Sequence, residues 1–472
     1  MNKNARMRNL AAMMKIYNTL GRKVEQVVPL EDSLIRVYSC GLTVYDYAHI
    51  GNLRKYIFDD LLKRTLKAAG FKVKQVMNIT DVGHLVSDAD SGDDKIEKGA
   101  KREHKSAWEI AKFYEEKFIE DLEKLNIELP DVVCRATEHI DDQINLIKIL
   151  EKKGYTYKTG GGIYFDSSKL LDYGKLALLD KKNLREGARV KKNPEKKNLT
   201  DFALWKFTPS GTRRDMQWPS PWGIGFPGWH IECSAMSTKY LGQPFEIHTG
   251  GVDHIAVHHT NEIAQSEAAF GKPLAKYWVH SEHLLENGRK MAKSAGHFIR
   301  LQDLKDRGFD PLDFRYFCLT AHYRTKLDFS WESLEAAKNS LQKIRTYAKS
   351  LNDKEAKGET EYFKAQYEKF SNLLLDDLKT PQALAVLFET IAKANEENFK
   401  GRPAREFLEK IDRILAIKPF EERKIPERVK KLAEEREDFR KQKNFSKADE
   451  IRSEIIKQGF DVEDTADGTE IF

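Results

Sequence analysis

Leu34-Ile35-Arg36-Val37-Tyr38-Ser39-Cys40-Gly41, followed by His49-Ile50-Gly51-Asn52, is the stretch that decides the fold. Residues 34–40 read as a strand, and a helix is expected to open near Leu53. Helix N-termini offer unsatisfied N–H groups and the positive end of the helix dipole, and both attract phosphate. One loop can therefore present a soft metal ligand, the Cys40 thiolate, nine residues ahead of a nucleotide-binding turn. Four residues alone are weak evidence, because Gly51 also suits an ordinary tight strand-to-helix turn.

Working outward, Ile57, Phe58, Leu61, Leu62 and Leu66 form a helical stripe over 54–69, closed by Gly70. Residues 71–80 read as the next strand. Strand, helix and strand of this length make a right-handed βαβ unit with a parallel sheet. Ser106-Ala107-Trp108-Glu109 is a capping box that opens a helix to about residue 125, and a second helix covers 138–152. A hairpin follows over 155–166, around Gly160-Gly161-Gly162. The nucleotide-binding fold resumes near His230-Ile231-Glu232-Cys233. Beyond it come a strand at 245–248, a helix at 258–270 stopped by Gly271, a strand at 277–285 and the turn Asn287-Gly288. After Trp331 long charged helices dominate, at 331–351, 361–378, 382–398 and 404–417. Thr380-Pro381 is the expected N-cap and first residue of the third. Two helices, 427–443 and 447–458, and a small β end at 460–472 close the chain. The expected division is an α/β nucleotide-binding domain in two halves, 15–110 and 216–330, with a connective insertion at 111–215. A helical domain at 331–419 and a small α+β unit at 420–472 follow.

A chain of 472 residues should hold roughly two to four domains. No apolar run approaches the ~20 residues of a membrane span, and residues 1–14 lack the apolar core of a signal peptide. They could form a short basic helix, or an extension ahead of a start at Met13 or Met14. Four cysteines in so long a chain are no disulfide framework, so a cytoplasmic protein is expected. Net charge is +6, and the segment 175–197 alone carries nine Lys/Arg against three acids. Such a run is either a polyanion contact, such as RNA, or a solvated lysine-rich loop.

The candidate metal constellation is Cys40, Cys233, His258 and Glu262. His258 and Glu262 are spaced i, i+4 and share a helix face. Thiolate, imidazole and carboxylate together suit zinc. His259 competes with His258, and an i, i+4 His/Glu pair also reads as a helix ion pair. Lys290-Met291-Ala292-Lys293-Ser294 is either a cationic loop that neutralises charge on a transferred phosphate group or an exposed basic hairpin. His248-Thr249-Gly250-Gly251-Val252-Asp253 pairs glycines, which let a ligand approach, with a carboxylate suited to ribose hydroxyls, or is a plain turn. Trp229 and His230 would form aromatic walls nearby, or pack. Cys134 and Cys318 read as core.

Taken in order, these segments resemble the cysteinyl-tRNA synthetases, a class I aminoacyl-tRNA synthetase family. Cys40-Gly41-Leu42-Thr43-Val44-Tyr45-Asp46 leads into the HIGH-type turn, and Asn78-Ile79-Thr80-Asp81 and Asp201-Phe202-Ala203-Leu204-Trp205-Lys206 follow. Gly228-Trp229-His230-Ile231-Glu232-Cys233-Ser234-Ala235-Met236 is the most specific block. His258-His259-Thr260-Asn261-Glu262 and the KMSKS-type Lys290 to Ser294 come next, then Arg315-Tyr316-Phe317, His322-Tyr323-Arg324 and Thr380-Pro381-Gln382. The resemblance implies a class I Rossmann-like parallel sheet with a connective insertion, a helical bundle and a small C-terminal anticodon-binding unit. It implies one Zn²⁺ on Cys40, Cys233, His258 and Glu262. It places ATP, with Mg²⁺, on His49, Gly51, Asn52, His248, Asp253 and Lys293, and the cysteine moiety on Thr80 and Trp229. His49, Asn52, Lys290 and Lys293 would carry catalysis. The partners would be L-cysteine, ATP and tRNA(Cys), with no membrane, and the enzyme a monomer. Two rivals share these motifs. One is a ligase joining cysteine to an amino-sugar, which should lack the about 140 residues after Trp331; the other is a non-catalytic RNA-binding module. The chain departs from the family pattern at Asn52 (usually His), Ala292 (usually Ser), and His254 and Val257 (usually Leu and Pro).

Overall fold

Five parallel strands carry the site. The structure is a computed structural model that describes residues 14–82, 95–179, 194–209, 211, 214–291, 298–421, 426–457, 460, 462–465 and 468–471. Across the sheet the strands run Ala275–Ser281, Phe245–Gly251, Leu34–Ser39, Lys72–Ile79 and Val132–Arg135. Every neighbouring pair is parallel, with Val37 opposite Ile247 and Gln75 opposite Val37. Helix Ile50–Ala68 returns the chain from the first strand and buries Ile57, Leu61, Leu62 and Leu66, the stripe read from periodicity. It opens at Ile50 rather than near Leu53, because His49 and Asn52 form a reciprocal capping box.

The insertion begins later than expected. Val132–Arg135 is an edge strand of the central sheet, so helix Ala107–Lys124 is a crossover connection within the nucleotide-binding fold. A four-residue strand gives too short an alternation to stand out. Beyond Arg135 the chain builds a separate antiparallel sheet from Thr156–Lys158, Gly162–Phe165, Phe202–Phe207 and Gly225–Pro227. This sheet, within residues 156–227, shares no strand with the central one. The expected strand at 277–285 is two elements. Ala275–Ser281 closes the central sheet, while Leu284–Glu286 joins Arg289–Lys290 and Leu327–Phe329 in a small second sheet. Asn287 and Gly288 turn that hairpin with φ of +52° and +72°, the two positive values a type I′ turn requires.

Helices Trp331–Lys349, Glu359–Leu375, Thr380–Glu396 and Arg402–Leu415 form the helical region. Lys379, not Thr380, is the N-cap of the third. Their apolar faces join one continuous core with the nucleotide-binding domain, from Leu53 and Phe58 through Phe314 to Leu408 and Leu415. The last unit has a core of its own, made of Val429, Ala433, Ile455, Phe460 and Val462. Of the basic run, residues 180–193 lie outside the described residues. Lys175 is paired with Asp172 at 2.8 Å and Glu267 at 2.5 Å, so it is structural rather than offered to a polyanion. Among the described residues no helix is long and apolar enough to cross a membrane.

Candidate active site and metal centre

Leu34–Ser39 and Phe245–Gly251 lie side by side, and from them the chain proceeds to opposite edges of the sheet. Ligands of open α/β sheets bind in the crevice at the carboxyl ends of two such strands. A cavity of about 970 Å³ opens there. Its wall takes in Cys40, His49, Gly51, Asn52, Thr80, Trp229, Cys233, Asp253, His258 and Lys290.

The phosphate turn is built by its own cap. Asn52 N–H donates to His49 Nδ1 at 3.1 Å, and His49 N–H donates to Asn52 Oδ1 at 3.2 Å. An accepting Nδ1 puts the His49 proton on Nε2. Asn in place of the usual His thus serves the helix end as well as the cavity. A Cβ on Gly51 would come within 2.9 Å of His49 Nδ1, so a side chain there displaces the ring. One turn on, Lys55 donates to the Cys40 carbonyl at 2.6 Å and pairs with Asp59 at 2.7 Å. Buried Arg54 donates to the carbonyls of Glu282 at 3.1 Å and Thr325 at 2.6 Å, holding the opposite wall. Neither was among the sequence candidates, since a Lys/Asp pair at i, i+4 reads as a solvated helix face.

Asp253 and Lys290 are brought together across the cavity mouth, carboxylate to ammonium, with His283 Nε2 3.4 Å from the other carboxylate oxygen. Burial pushes the Asp253 carboxyl up, but His283 and Lys290 outweigh it and hold it below the ordinary carboxylate range. Thr80 Oγ1 lies deeper. It accepts from Asn78 and donates to the fully buried Glu232, each at 3.1 Å. Trp229 stands over His258, ring centroids 4.3 Å apart. His248 is displaced from its expected place at the nucleotide. It does not line the cavity but lies behind it, fully buried, stacked on Trp278 and bonded through Nε2 to Glu262 at 2.8 Å. Lys293 and Ala292 lie outside the described residues.

At the cavity floor, one donor atom each from Cys40, Cys233, His258 and Glu262 falls within 4.8 Å of every other. All four residues are buried. Helix His258–Phe270 begins at His258 itself, whatever the residue at 257, so His258 Nε2 meets Glu262 Oε1 at 2.9 Å one turn later. A second set, Cys40, His248, His259 and Glu262, satisfies the same distance. Burial pushes both thiols up. Burial opposes charge on the partners too, but Glu262 and Cys233 outweigh it and raise His258 to about 10, while His248 and His258 hold Glu262 low. Among the described residues the ion-pair partners of Glu262 are histidines alone. A buried carboxylate, two thiols and an imidazole make a donor set that a borderline divalent cation would satisfy.

Residues 26–339 match the family profile of the catalytic domain of class I (C) tRNA synthetases. Cysteine–tRNA ligase 1 of Burkholderia lata is 48% identical over 465 residues, covering 97% of each chain. The chain belongs to the class I cysteinyl-tRNA synthetases. Another relative, the cysteine–tRNA ligase of Treponema denticola, is 46% identical over 97% of this cysteinyl-tRNA synthetase and 99% of its own length. A solved methionyl-tRNA synthetase of Mycobacterium tuberculosis, in complex with methionyl-adenylate, superposes with a TM-score of 0.59. The match covers 82% of this chain and 89% of that one, at 14% identity, and it speaks for the α/β fold alone.

Proposed function

We propose that this synthetase activates L-cysteine with ATP to cysteinyl-adenylate and pyrophosphate, then transfers cysteine to tRNA(Cys), with zinc selecting the substrate thiol. The observation that carries the reading is the juxtaposition in one cavity of the capped His49–Asn52 turn with Cys40, Cys233 and His258, whose donor atoms gather with that of the buried Glu262. The cysteine carboxylate attacks the α-phosphate, so side chains have little proton transfer to perform. Catalysis is positioning and charge stabilisation. His49 Nε2–H and the helix start hold the triphosphate, which Mg²⁺ accompanies. Lys290 and Lys293 neutralise the departing pyrophosphate, and Lys290 leaves Asp253 to do so. Asp253, once released, takes the ribose hydroxyls. Thr80 and Trp229 confine the amino acid over the floor.

Cys40, Cys233, His258 and Glu262 would hold zinc. When bound, it would favour a substrate thiolate over the hydroxyl of serine, a discrimination that an apolar pocket limits to about 10².

The test is cysteine-dependent ATP–pyrophosphate exchange run beside tRNA charging. Both are expected, with serine a poor substrate in each. Exchange without charging would turn the reading toward a ligase with another acceptor, and loss of both toward a binding module. Metal analysis accompanies it: Cys233→Ser should lose zinc, and undiminished zinc would overturn the ligand set.

A further inference from the structure

Asp377 stands at the joint between helices Glu359–Leu375 and Thr380–Glu396 with φ of +63°, and Leu378 follows at +53°. Successive left-handed residues other than glycine persist where surrounding bonds over-determine them. Here those bonds converge on one buried carboxylate. Oδ1 accepts from Tyr17 N–H at 2.8 Å and from the Tyr323 hydroxyl at 2.6 Å. Oδ2 accepts from Arg324 Nε at 3.0 Å and Nη2 at 2.5 Å. The Asp377 carbonyl accepts from His322 Nε2 at 2.7 Å. One residue of the helical region thus grips three consecutive side chains of the catalytic domain.

The same short segment is held a second time, through its main chain. The Tyr323 carbonyl accepts from Glu282 N–H at 2.8 Å. The carbonyls of His322 and Thr325 accept from Arg54 Nη2 at 3.3 and 2.6 Å. Nη1 of that guanidinium donates to the carbonyls of Glu282 at 3.1 Å and His283 at 2.5 Å. Arg54 is buried on helix Ile50–Ala68, two residues past Asn52. Residues 322–325 are therefore a strut. The helical region holds one side of it, and the other side meets Glu282 and His283, which line the cavity. His283 Nε2 in turn lies 3.4 Å from Asp253.

We propose that Asp377 is a positioning residue for ATP: its carboxylate sets residues 322–325 against Arg54 and Glu282, and so fixes the wall on which His283 steadies Asp253 for the ribose. The helical region then serves the activation step itself, before tRNA arrives. The cysteine end of the cavity rests on other elements, since Thr80 follows strand Lys72–Ile79 and Trp229 opens helix Trp229–Leu241. The inference rests on the reading of Asp253 as the ribose contact.

Cysteine-dependent pyrophosphate exchange by the full-length protein, without tRNA, tests it. Asp253→Asn comes first and should raise KM for ATP at least about fivefold. A smaller rise overturns the ribose reading, and this inference with it, before any variant of the strut is measured. Asp377→Ala should then raise KM for ATP at least about fivefold and leave KM for cysteine within about twofold, because misplacing a contact group is costly even from a distant residue. Asp377→Asn keeps an acceptor for Tyr17 and tolerates the positive φ, so it should fall between. A merely structural role would lower the active fraction, and with it the rate, without moving either KM. A smaller rise in KM for ATP in Asp377→Ala overturns the proposal. So does a KM for cysteine that climbs as far as KM for ATP, because the whole cavity has then loosened. If Asp377→Ala does not fold, Arg324→Met at an exposed residue decides. KM for ATP should then rise at least about threefold with KM for cysteine unmoved, and anything less overturns the proposal.

Discussion

Arg315 offers the sharpest test of how the helical region is held to the catalytic domain. It is fully buried on helix Pro311–Leu319. Its guanidinium reaches Asp60 at 2.5 Å and the carbonyls of Leu415 and Leu125 at 2.7 and 3.0 Å. Those acceptors belong to the first catalytic helix, the end of helix Arg402–Leu415 and the end of helix Ala107–Lys124. Removing one partner of a buried pair costs about 3–5 kcal/mol, mostly through the stranded charge. Asp60 keeps Arg64 at 2.8 Å and the Glu128 N–H at 2.9 Å, so its charge is not left bare. That argues for the low end, about 3 kcal/mol, with the two orphaned carbonyls included because such losses do not add. The expected consequence of Arg315→Met is local. Amide exchange in peptides covering 408–421 should accelerate on the order of a hundredfold, since each 1.4 kcal/mol is about tenfold. Sheet peptides at 72–79 should change far less. Charging of tRNA should suffer more than pyrophosphate exchange. Arg315→Lys should fall between, because an ammonium cannot span three acceptors in the guanidinium's plane. Acceleration below about threefold at 408–421 would mean that shared apolar packing, not this cation, joins the two regions.

Two further outcomes follow from the same structure. Deleting residues from 426 onward should leave cysteine-dependent pyrophosphate exchange intact and cut tRNA charging, because that unit has a separate core; equal loss of both in parallel assays would show that it supports the catalytic fold. Asp81 is buried, and burial raises its carboxyl to about 6 despite the Thr137 bonds that favour ionisation. Its folded pKa lies above the unfolded value, so the native state holds this proton more tightly. The stabilisation is full below about pH 4 and is lost as pH climbs through about 6, an effect of order 1–3 kcal/mol. Denaturant midpoints of Asp81→Asn should accordingly fall less between pH 4 and 7 than those of the parent, and identical pH slopes would refute the assignment.

Where local chemistry decides the structure, the sequence was enough to read it. The stripe at Ile57 to Leu66, the Ser106 capping box and the Asn287-Gly288 turn each rest on interactions within a few residues, and each stands where it was expected. The same holds for His258 and Glu262, because one helix turn joins them. Cys40 and Cys233 are another matter. Nothing local relates residues 193 positions apart in the chain; a family pattern placed them together, and the cavity floor agrees with it.

What escaped sequence reading is what the tertiary fold alone creates. Val132–Arg135 is too short to show a period, yet its pairing with Lys72–Ile79 moves the start of the insertion past Arg135. His248 sits beside two glycines and an aspartate, a context that suggests a ligand. Strand alternation decides instead: His248 shares its face with Trp278 across the parallel pair and meets Glu262 behind the cavity. Lys55 and Asp59 resemble any solvated i, i+4 pair until helix packing lays them under the Cys40 carbonyl. Thr19 lies in a segment with no motif of its own near it. Its place comes from an edge: the strand Ala275–Ser281 ends the sheet, and residues 18 and 19 bond to Trp278 there. A sheet edge needs a partner for its exposed N–H and carbonyl groups. Meeting that need with the N-terminal segment also sets a hydroxyl against His280. Edge protection and a buried hydroxyl beside His280 are thus two results of one contact, which is why neither composition nor periodicity could announce the second.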